Sequence, residues 1–475
     1  MSKIIFINPE GNQRLNRHEP PIDLLSVAGY LKIKNHNVSF VDFNISKNNS
    51  NNFSFVGYDF AFLPLYTLNR FATYRLAKII KKNNPGIVIV TGTILCNESH
   101  STTMWEQVLN NYKDIDICII GEAEDAMLEL ADRKNIADIK SIAYRNNNEI
   151  IKNLPRELEK DLDKFGLPAW ELIDFNEYGS GGVDGIHNGI DLSKEKLVPV
   201  IFSHGCLAAC KFCALWWMWK KWRTKSGLSM ANEIIGLHHK HGLKLFAFRD
   251  DCFGVDKNAL NQFCDEIIKS KIKIVFSVIT RVDVLNDRAE LLKMKEAGCF
   301  SISYGVETGS QKILDEFNKG VKVDAMKTTL RMAREVGFKI HALMIVGSPF
   351  ETPETVNETI DFLNDLKPDT SGCIGGIILL PGTAYYNKAK SINYINDNYW
   401  LKDKEFPIDY STISKFRVFI YNKAVRNRKK IKDIKSEYNF VNVAQFFAVQ
   451  LLHRIGLRSL GKKVAILLQK VGFNY

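Results

Sequence analysis

Between residues 197 and 382 the chain alternates apolar strand runs with amphipathic helical stretches, and no other feature limits its fold as strongly. The strands read 198–203, 243–249, 272–280, 300–305, 340–346 and 374–380. Helical periodicity fills the gaps at 229–240, 258–270, 287–297, 324–336 and 354–366. Gly242, Gly298 and Gly337 follow three of these helices, where the chain must turn left-handed to stop. Six βα-type strands in series predict a (β/α)6 partial TIM barrel, whose ligands collect at the carboxyl ends of the strands.

Residues 1–140 alternate less regularly, with strands at 4–8, 38–42, 59–65, 87–91 and 115–120 and helices at 22–34 and 69–82. This predicts a Rossmann-like doubly wound parallel sheet. The first strand runs into Asn8, Pro9, Glu10 and Gly11 rather than a GxGxxG turn, which disfavours a conventional dinucleotide site. Residues 141–196 read as a linker, with a hairpin over 143–151 and a glycine-rich loop over 179–189. Residues 197–385 form the barrel, and 386–475 are expected to be a mainly helical extension. That extension carries five basic residues in seven at 426–432 and a basic, apolar tail at 446–473. The fold class is α/β throughout.

Composition narrows the function classes. A chain of 475 residues with 45% hydrophobic and 25% charged residues is ordinary globular protein. The formal charge of +11 admits an anionic partner or a membrane surface without calling for nucleic acid. The opening residues, with an apolar run of only Ile4–Ile7, are not expected to act as a signal peptide, and no run reaches the ~18 apolar residues of a membrane span. Nine cysteines without an export signal favour reduced thiols, metal or catalysis over a disulfide framework. The expected location is cytoplasmic, with peripheral contact at the inner membrane face left open.

The chemistry concentrates in Cys206, Cys210 and Cys213, a C-x3-C-x2-C triplet in the loop after the first barrel strand. Independent placement at this cysteine frequency would give that spacing with a probability of roughly 0.003. Three thiolates in eight residues can wrap one soft metal centre. A [4Fe–4S] cluster held by three ligands keeps one iron open, and open coordination sites are where metal chemistry happens. A zinc site or a group of buried thiols is the alternative, but a second paired CxxC is missing.

The triplet, with Phe212 before its last cysteine, resembles the radical S-adenosylmethionine (SAM) superfamily. The resemblance implies that Cys206, Cys210 and Cys213 hold a [4Fe–4S] cluster whose open iron chelates S-adenosylmethionine. Reductive cleavage then gives a 5′-deoxyadenosyl radical, the protein supplying binding, orientation and shielding. The other strand ends match as well. Asp250 or Asp251 would accept from the methionine amino group, set against a helix-capping role for which Asp256 is better placed. Arg281 would pair with the methionine carboxylate, set against an ion pair with Asp283. Glu307 would accept from ribose hydroxyls, and Gly347 would let the backbone approach adenine.

The resemblance extends over about residues 3–385 and points to the subgroup with an N-terminal cobalamin-binding domain. It rests there on Pro20-Pro21 in the first helix, on Gly121-Glu122, and on Leu167-Pro168-Ala169-Trp170. It implies that Pro64, Tyr66 and Thr67 lie against the lower face of the corrin, with Gly92 and Glu122 also in the cofactor site. Two departures stand out: Thr91-Gly92-Thr93 replaces the usual Gly-Gly, and no Asp-x-His-x-x-Gly motif supplies a histidine below cobalt.

Trp216, Trp217, Trp219 and Trp222 follow the cluster loop and either shield the radical or pack the linker on the barrel. His204 is expected to hydrogen-bond the backbone. The implied activity is methyl transfer to an unactivated carbon of a small-molecule or lipid-like substrate, with an external electron donor such as flavodoxin or ferredoxin. A radical cyclase or rearrangement enzyme and a non-enzymatic Fe–S or corrinoid sensor are the alternatives. Methylthio transfer to tRNA is disfavoured, because only Cys96 and Cys118 lie in the N-terminal half.

Overall fold

A computed structural model describes residues 1–10, 19–45, 50–67, 69–94, 99–147, 149–179, 183–215, 219, 221–402, 408–409 and 415–431. Cys96, Trp216, Trp217, part of the glycine-rich loop (180–182) and the tail from 432 onward lie outside the described residues.

The first sheet is built from β1 (Lys3–Asn8), β2 (Asn37–Asp42), β3 (Phe60–Pro64), β4 (Val88–Gly92) and β5 (Ile117–Ile119). Helices α1 (Ile22–Ile33), α2 (Arg70–Asn83), α3 (His100–Thr103), α4 (Trp105–Asn111) and α5 (Glu124–Ala131) surround it. Ile4, Ile5, Phe6 and Ile7 are all fully buried, as a strand covered on both faces requires. The strand order β2-β1-β3-β4-β5 is doubly wound, with its switch point between β1 and β3. The hairpin expected in the linker forms as β6 (Ile142–Asn146) and β7 (Glu149–Lys152), and it extends this sheet antiparallel at β5.

A short hairpin, β8 (Ile186–His187) and β9 (Ile190–Asp191), precedes the barrel. Six parallel strands follow in the order β10-β13-β14-β15-β16-β17: β10 (Leu197–Val200), β13 (Leu245–Phe248), β14 (Val275–Arg281), β15 (Cys299–Glu307), β16 (Lys339–Val346) and β17 (Thr370–Gly375). A small ladder of β11 (Ser203–His204) and β12 (Arg223–Thr224) stands outside them. The helices between are α6 (Gly227–His241), α7 (Lys257–Ser270), α8 (Arg288–Glu296), α9 (Gln311–Glu316), α10 (Val323–Val336) and α11 (Pro353–Leu366). In α10, Met326, Leu330 and Ala333 form the buried stripe at helical spacing. Thr352 and Thr355 cap each other at the start of α11, with Pro353 in its first turn.

The sixth strand departs from expectation. It lies at 370–375 rather than 374–380, because pairing with β16 places Ile374 beside Ile345 and carries the polar Thr370 and Ser371 into the ladder. The apolar run beyond it serves a different core. Ile377, Leu379 and Leu380 pack with β1, β3 and β4 of the first sheet. The chain then continues through β18 (Ile377–Ile378), α12 (Ala384–Ser391), α13 (Tyr399–Lys402), β19 (Ile408–Asp409) and α14 (Lys415–Asn427). In α13, Trp400 is fully buried against His100 at 5.7 Å between rings, and its indole donates to the Leu379 carbonyl at 2.7 Å. Arg70 donates back to the Trp400 carbonyl at 2.8 Å, so residues 377–401 strap the barrel to the first sheet. No described helix is long and apolar enough to cross a membrane.

Candidate active site

The cluster loop is held at its root before its cysteines begin. His204 and Arg223 are register partners in the β11–β12 ladder, which closes the loop like a hairpin. Both meet one carboxylate: Glu122 Oε1 lies 2.7 Å from an Arg223 nitrogen and 3.2 Å from His204 Nδ1. All three side chains are at most 9% exposed. Burial alone would raise the Glu122 carboxyl, yet His204 and Arg223 together hold it below its usual range. Burial and the Glu122 charge push the neighbouring Glu124 carboxyl up to about 8. Glu122 therefore anchors the barrel on the end of β5, and His204 pairs with it rather than with backbone. Trp219 is buried against His204 and Arg223 at 4.9 and 5.4 Å. Trp222 donates to the Cys252 carbonyl at 3.0 Å. In the described half of the tryptophan run, packing is the observed role.

Cys206, Cys210 and Cys213 follow this root in a loop with little regular structure. The buried Cys252 thiol hydrogen-bonds Cys206 and lowers it to about 6, while burial pushes Cys210 and Cys213 up. Among the described residues, no three His, Cys, Asp or Glu groups are placed to hold a single metal ion. Phe212 packs edge-on against Phe317 at 5.0 Å between rings.

Two buried cations face these thiols, and sequence reading named only one. Arg281, at the end of β14, forks onto Asp283 at 2.8 and 2.9 Å and donates to the Lys319 carbonyl at 2.9 Å. Of the two sequence readings of Arg281, the ion pair with Asp283 is the one observed; its Nη1 is buried with no acceptor among the described residues, and the guanidinium acts electrostatically on Cys206 and Cys210. The second cation is Lys319, 5% exposed, which donates to Glu307 at 2.7 Å. Lys319 sits in the turn after α9, where no motif or spacing singles it out. Glu307 holds a left-handed φ of +66° at a bulge in β15, which swings its carboxylate onto Lys319. An orphan guanidinium nitrogen and a buried lysine beside three thiols are the surroundings an anionic cluster and a carboxylate ligand require.

The adjacent aspartates part company. Asp250 is spent on the chain itself, accepting from the Phe202 and Ser203 amides at 3.2 and 2.5 Å, so the expectation of a cofactor contact there gives way to a structural one. Asp251 points to the loop, accepts from Gly205 at 3.4 Å and acts on Cys206 and Cys213. Asp256 caps α7 through the Asn258 and Ala259 amides. Gly347 takes φ +98°, which a side chain would strain, and both it and Ser348 donate their amides to buried Glu351.

On the first sheet, Pro64 and Tyr66 end β3 beside the switch point. The Pro64 carbonyl accepts from Asn69 at 2.9 Å and Thr73 at 2.8 Å, which fixes the loop. Thr67 is fully buried under it, 3.3 Å from His100 Nε2, so its side chain supports the loop from below. Gly92 is a packing position, since a Cβ there would press on Phe62 at 3.1 Å and Ile119 at 3.3 Å. A cavity of about 510 Å³ opens beside the end of β5, away from the cluster loop, lined by Gly121 and Glu122, by Trp105 of α4 and by Pro381, Gly382 and Tyr386 of the segment beyond the barrel. That volume is in the range of small-molecule sites.

Residues 200–363 match the family model of the radical SAM superfamily. The anaerobic magnesium-protoporphyrin IX monomethyl ester cyclase of Rubrivivax gelatinosus is 29% identical over 77% of this chain and 66% of its own length. The chain thus spans about two thirds of that relative. A protein of Pyrococcus horikoshii described as an uncharacterized methyltransferase is 28% identical over 78% of this chain and 79% of its own. The fold is shared with the radical S-adenosylmethionine methyltransferase TsrM from Kitasatospora setae, solved with cobalamin and a [4Fe–4S] cluster bound. The TM-score is 0.65 at 18% identity, covering 82% of this chain and 75% of that one. The three-cysteine loop, the six-stranded partial barrel and the match over residues 200–363 agree, and the chain carries a radical SAM domain.

Proposed function

We propose that the enzyme transfers a methyl group to an unactivated carbon of a small-molecule or lipid-like substrate, with cobalamin held by the first sheet. The observation that supports this most is the pair of buried cations, Arg281 and Lys319, that act on the three-cysteine loop, in a barrel whose loop root Glu122 ties to the end of β5. TsrM, whose fold the chain shares, binds cobalamin and a [4Fe–4S] cluster in its solved structure. In this reading Cys206, Cys210 and Cys213 hold the cluster. Asp251, Arg281, Lys319 and Glu307 bind and orient S-adenosylmethionine, with Phe212 and Gly347 beside its adenosine. The loop of Pro64 and Tyr66 faces the corrin, and Thr67 and Glu122 act behind the site. Bound together, the cluster and S-adenosylmethionine supply a radical that takes hydrogen from a C–H bond, a step that side-chain acids and bases cannot perform. The chain's own residues neutralise, orient and keep out water: two buried cations face the thiols, and Trp219 closes the loop root. The reductant is an external one of the flavodoxin or ferredoxin kind. The units are 1–140, 141–196, 197–385 and 386–475.

A second reading, ring closure by the same radical, is favoured by the likeness to the Rubrivivax cyclase. Anaerobic enzyme prepared with cobalamin and assayed for iron, cobalt and product mass separates the two. Methyl transfer gives iron and cobalt and a product heavier by one methylene. Cobalt missing under saturating supply removes the methyltransferase reading, and S-adenosylmethionine cleavage without methyl gain favours ring closure.

A further inference from the structure

A sheet of parallel strands is normally covered on both faces. Here one face of the barrel sheet is covered only in part. The outward residues of β13–β16, such as Phe246, Val278, Ile302 and Ala342, are buried under the helices. On the inner face, Ile190 and Leu192 of the β8–β9 segment plug the barrel over Leu197, Leu245 and Val275. The plug ends at the amino end of β15, where His187 packs on Phe300 at 4.9 Å between rings. Toward the carboxyl ends of the strands the inner face opens: Ile279, Ser303 and His341 are partly exposed and Thr370 is open, while Ser301 and Ile345 on the same face stay buried.

Leu343 stands at the centre of this open stretch and is 37% exposed although β16 is flanked on both sides. Its register partners are glycines, Gly305 on β15 and Gly372 on β17. The two glycines do different things. A Cβ at Gly305 would meet Glu307 Oε1 at 2.9 Å and Lys319 Nζ at 3.0 Å, so this glycine makes room for the ion pair beside the cluster loop. Among the described residues a Cβ at Gly372 would meet only Leu343 Cδ2 at 3.9 Å, an ordinary contact, so this one leaves space. Two residues lower on each strand, and so on the same face, Ile279, Ser303, His341 and Thr370 form a continuous register row, with His341 Nδ1 on the Thr370 hydroxyl. The open floor is therefore an apolar spot with a hydroxyl- and imidazole-bearing border on one side and the Glu307–Lys319 pair on the other.

We infer that this floor seats the substrate. An apolar, hydrogen-bearing part of a small molecule lies on Leu343, beside the ion pair, and a hydrogen-bonding group of the same molecule reaches toward Ser303, His341 and Thr370. Leu343 and Gly372 set the bulk that is accepted. The inference deepens the proposed function and rests on it for the source of the radical, since a C–H bond set on Leu343 lies next to the groups assigned there to S-adenosylmethionine.

Cysteine tethering tests it without a known substrate. Leu343→Cys, in anaerobic enzyme with its cluster and S-adenosylmethionine, is treated with benzyl methanethiosulfonate and, separately, with the charged 2-sulfonatoethyl reagent. Peptide mapping reads labelling at position 343, and Leu292→Cys on the outer face of α8, 52% exposed in the native chain, calibrates the reagents. Relative to that control, the benzyl reagent is expected to be favoured at 343 by about tenfold, the ratio that burial of part of one ring supports. Adding Gly372→Phe is expected to remove the preference, and adding Thr370→Val, a milder change, to leave it. Equal labelling by both reagents, no labelling by either, or a preference indifferent to Gly372→Phe would overturn the inference. Iron content shows that the variants are folded. Labelling needs neither cobalamin nor turnover, so loss of the methyl-transfer reading would show in the cobalt and product assays and leave this result unaffected.

Discussion

Glu122→Gln should loosen the cluster loop from the first sheet while keeping the shape of the site. The Arg223–Glu122 contact is 2.7 Å. At an effective dielectric of about 20, that separation corresponds to about 6 kcal/mol of attraction. Desolvation of two ions that are at most 9% exposed offsets much of it. Glutamine removes the attraction and leaves the desolvated guanidinium in place, so the variant should lose about 3 kcal/mol, the low end for breaking a buried pair, because its amide oxygen still accepts a hydrogen bond. Glu122→Gln with Arg223→Met should recover roughly 2 kcal/mol of that loss, since no buried charge is stranded. Urea unfolding of the anaerobic, cluster-loaded enzyme gives the energies, and amide hydrogen exchange localises them. Exchange should quicken across residues 203–224 and stay unchanged in the β8–β9 hairpin. A single variant within about 0.5 kcal/mol of wild type, or a double variant no better than the single, would refute the anchoring argument.

Three further outcomes follow from the same geometry. Cys206→Ala, Cys210→Ala or Cys213→Ala should each abolish iron loading and S-adenosylmethionine cleavage together, read by iron assay and by 5′-deoxyadenosine release; cleavage that survives any one of them would exclude the three-thiolate site. Lys319→Met strands the Glu307 carboxylate and should cost about 3–5 kcal/mol, whereas Lys319→Met with Glu307→Gln should cost markedly less, as measured by denaturant unfolding. Burial pushes the Glu351 carboxyl up to about 7 from 4.5. The folded protein then holds a proton that the unfolded chain releases, so stability falls as pH rises from about 4.5 to 7, by up to about 3 kcal/mol, and levels off above. Glu351→Gln should flatten that slope in unfolding series across the same range.

Much of this was legible in the chain because hydrophobic period and cysteine spacing are local signals. The first five barrel strands lie within a few residues of where their apolar runs place them, since each is buried on its outer face by its own helix. The sixth was misplaced because strand pairing, not apolarity, decides it: Thr370 and Ser371 belong to the ladder and Ile377 to another core. The cysteine triplet and Arg281 could be read from motif and position. Lys319 could not, because a lysine in a turn looks solvated until β15 bulges and brings Glu307 onto it. Asp250 and Asp251 are neighbours with opposite fates, set by which of them meets the amides of residues 202 and 203. Glu122 was visible as a polar residue at a strand end, but its partners lie 82 and 101 positions away, where no local pattern reaches.

The segment carrying Trp400 has a consequence for how such proteins can be recombined. The indole is inserted under the β3 loop of the first sheet yet belongs to the chain beyond the barrel, and Arg70 is fastened to its carbonyl. A chimera that exchanged residues 1–140 alone would leave an aromatic plug without its socket and a socket without its plug. The transplantable unit is discontinuous, and a viable graft must carry 377–402 along with the sheet it locks.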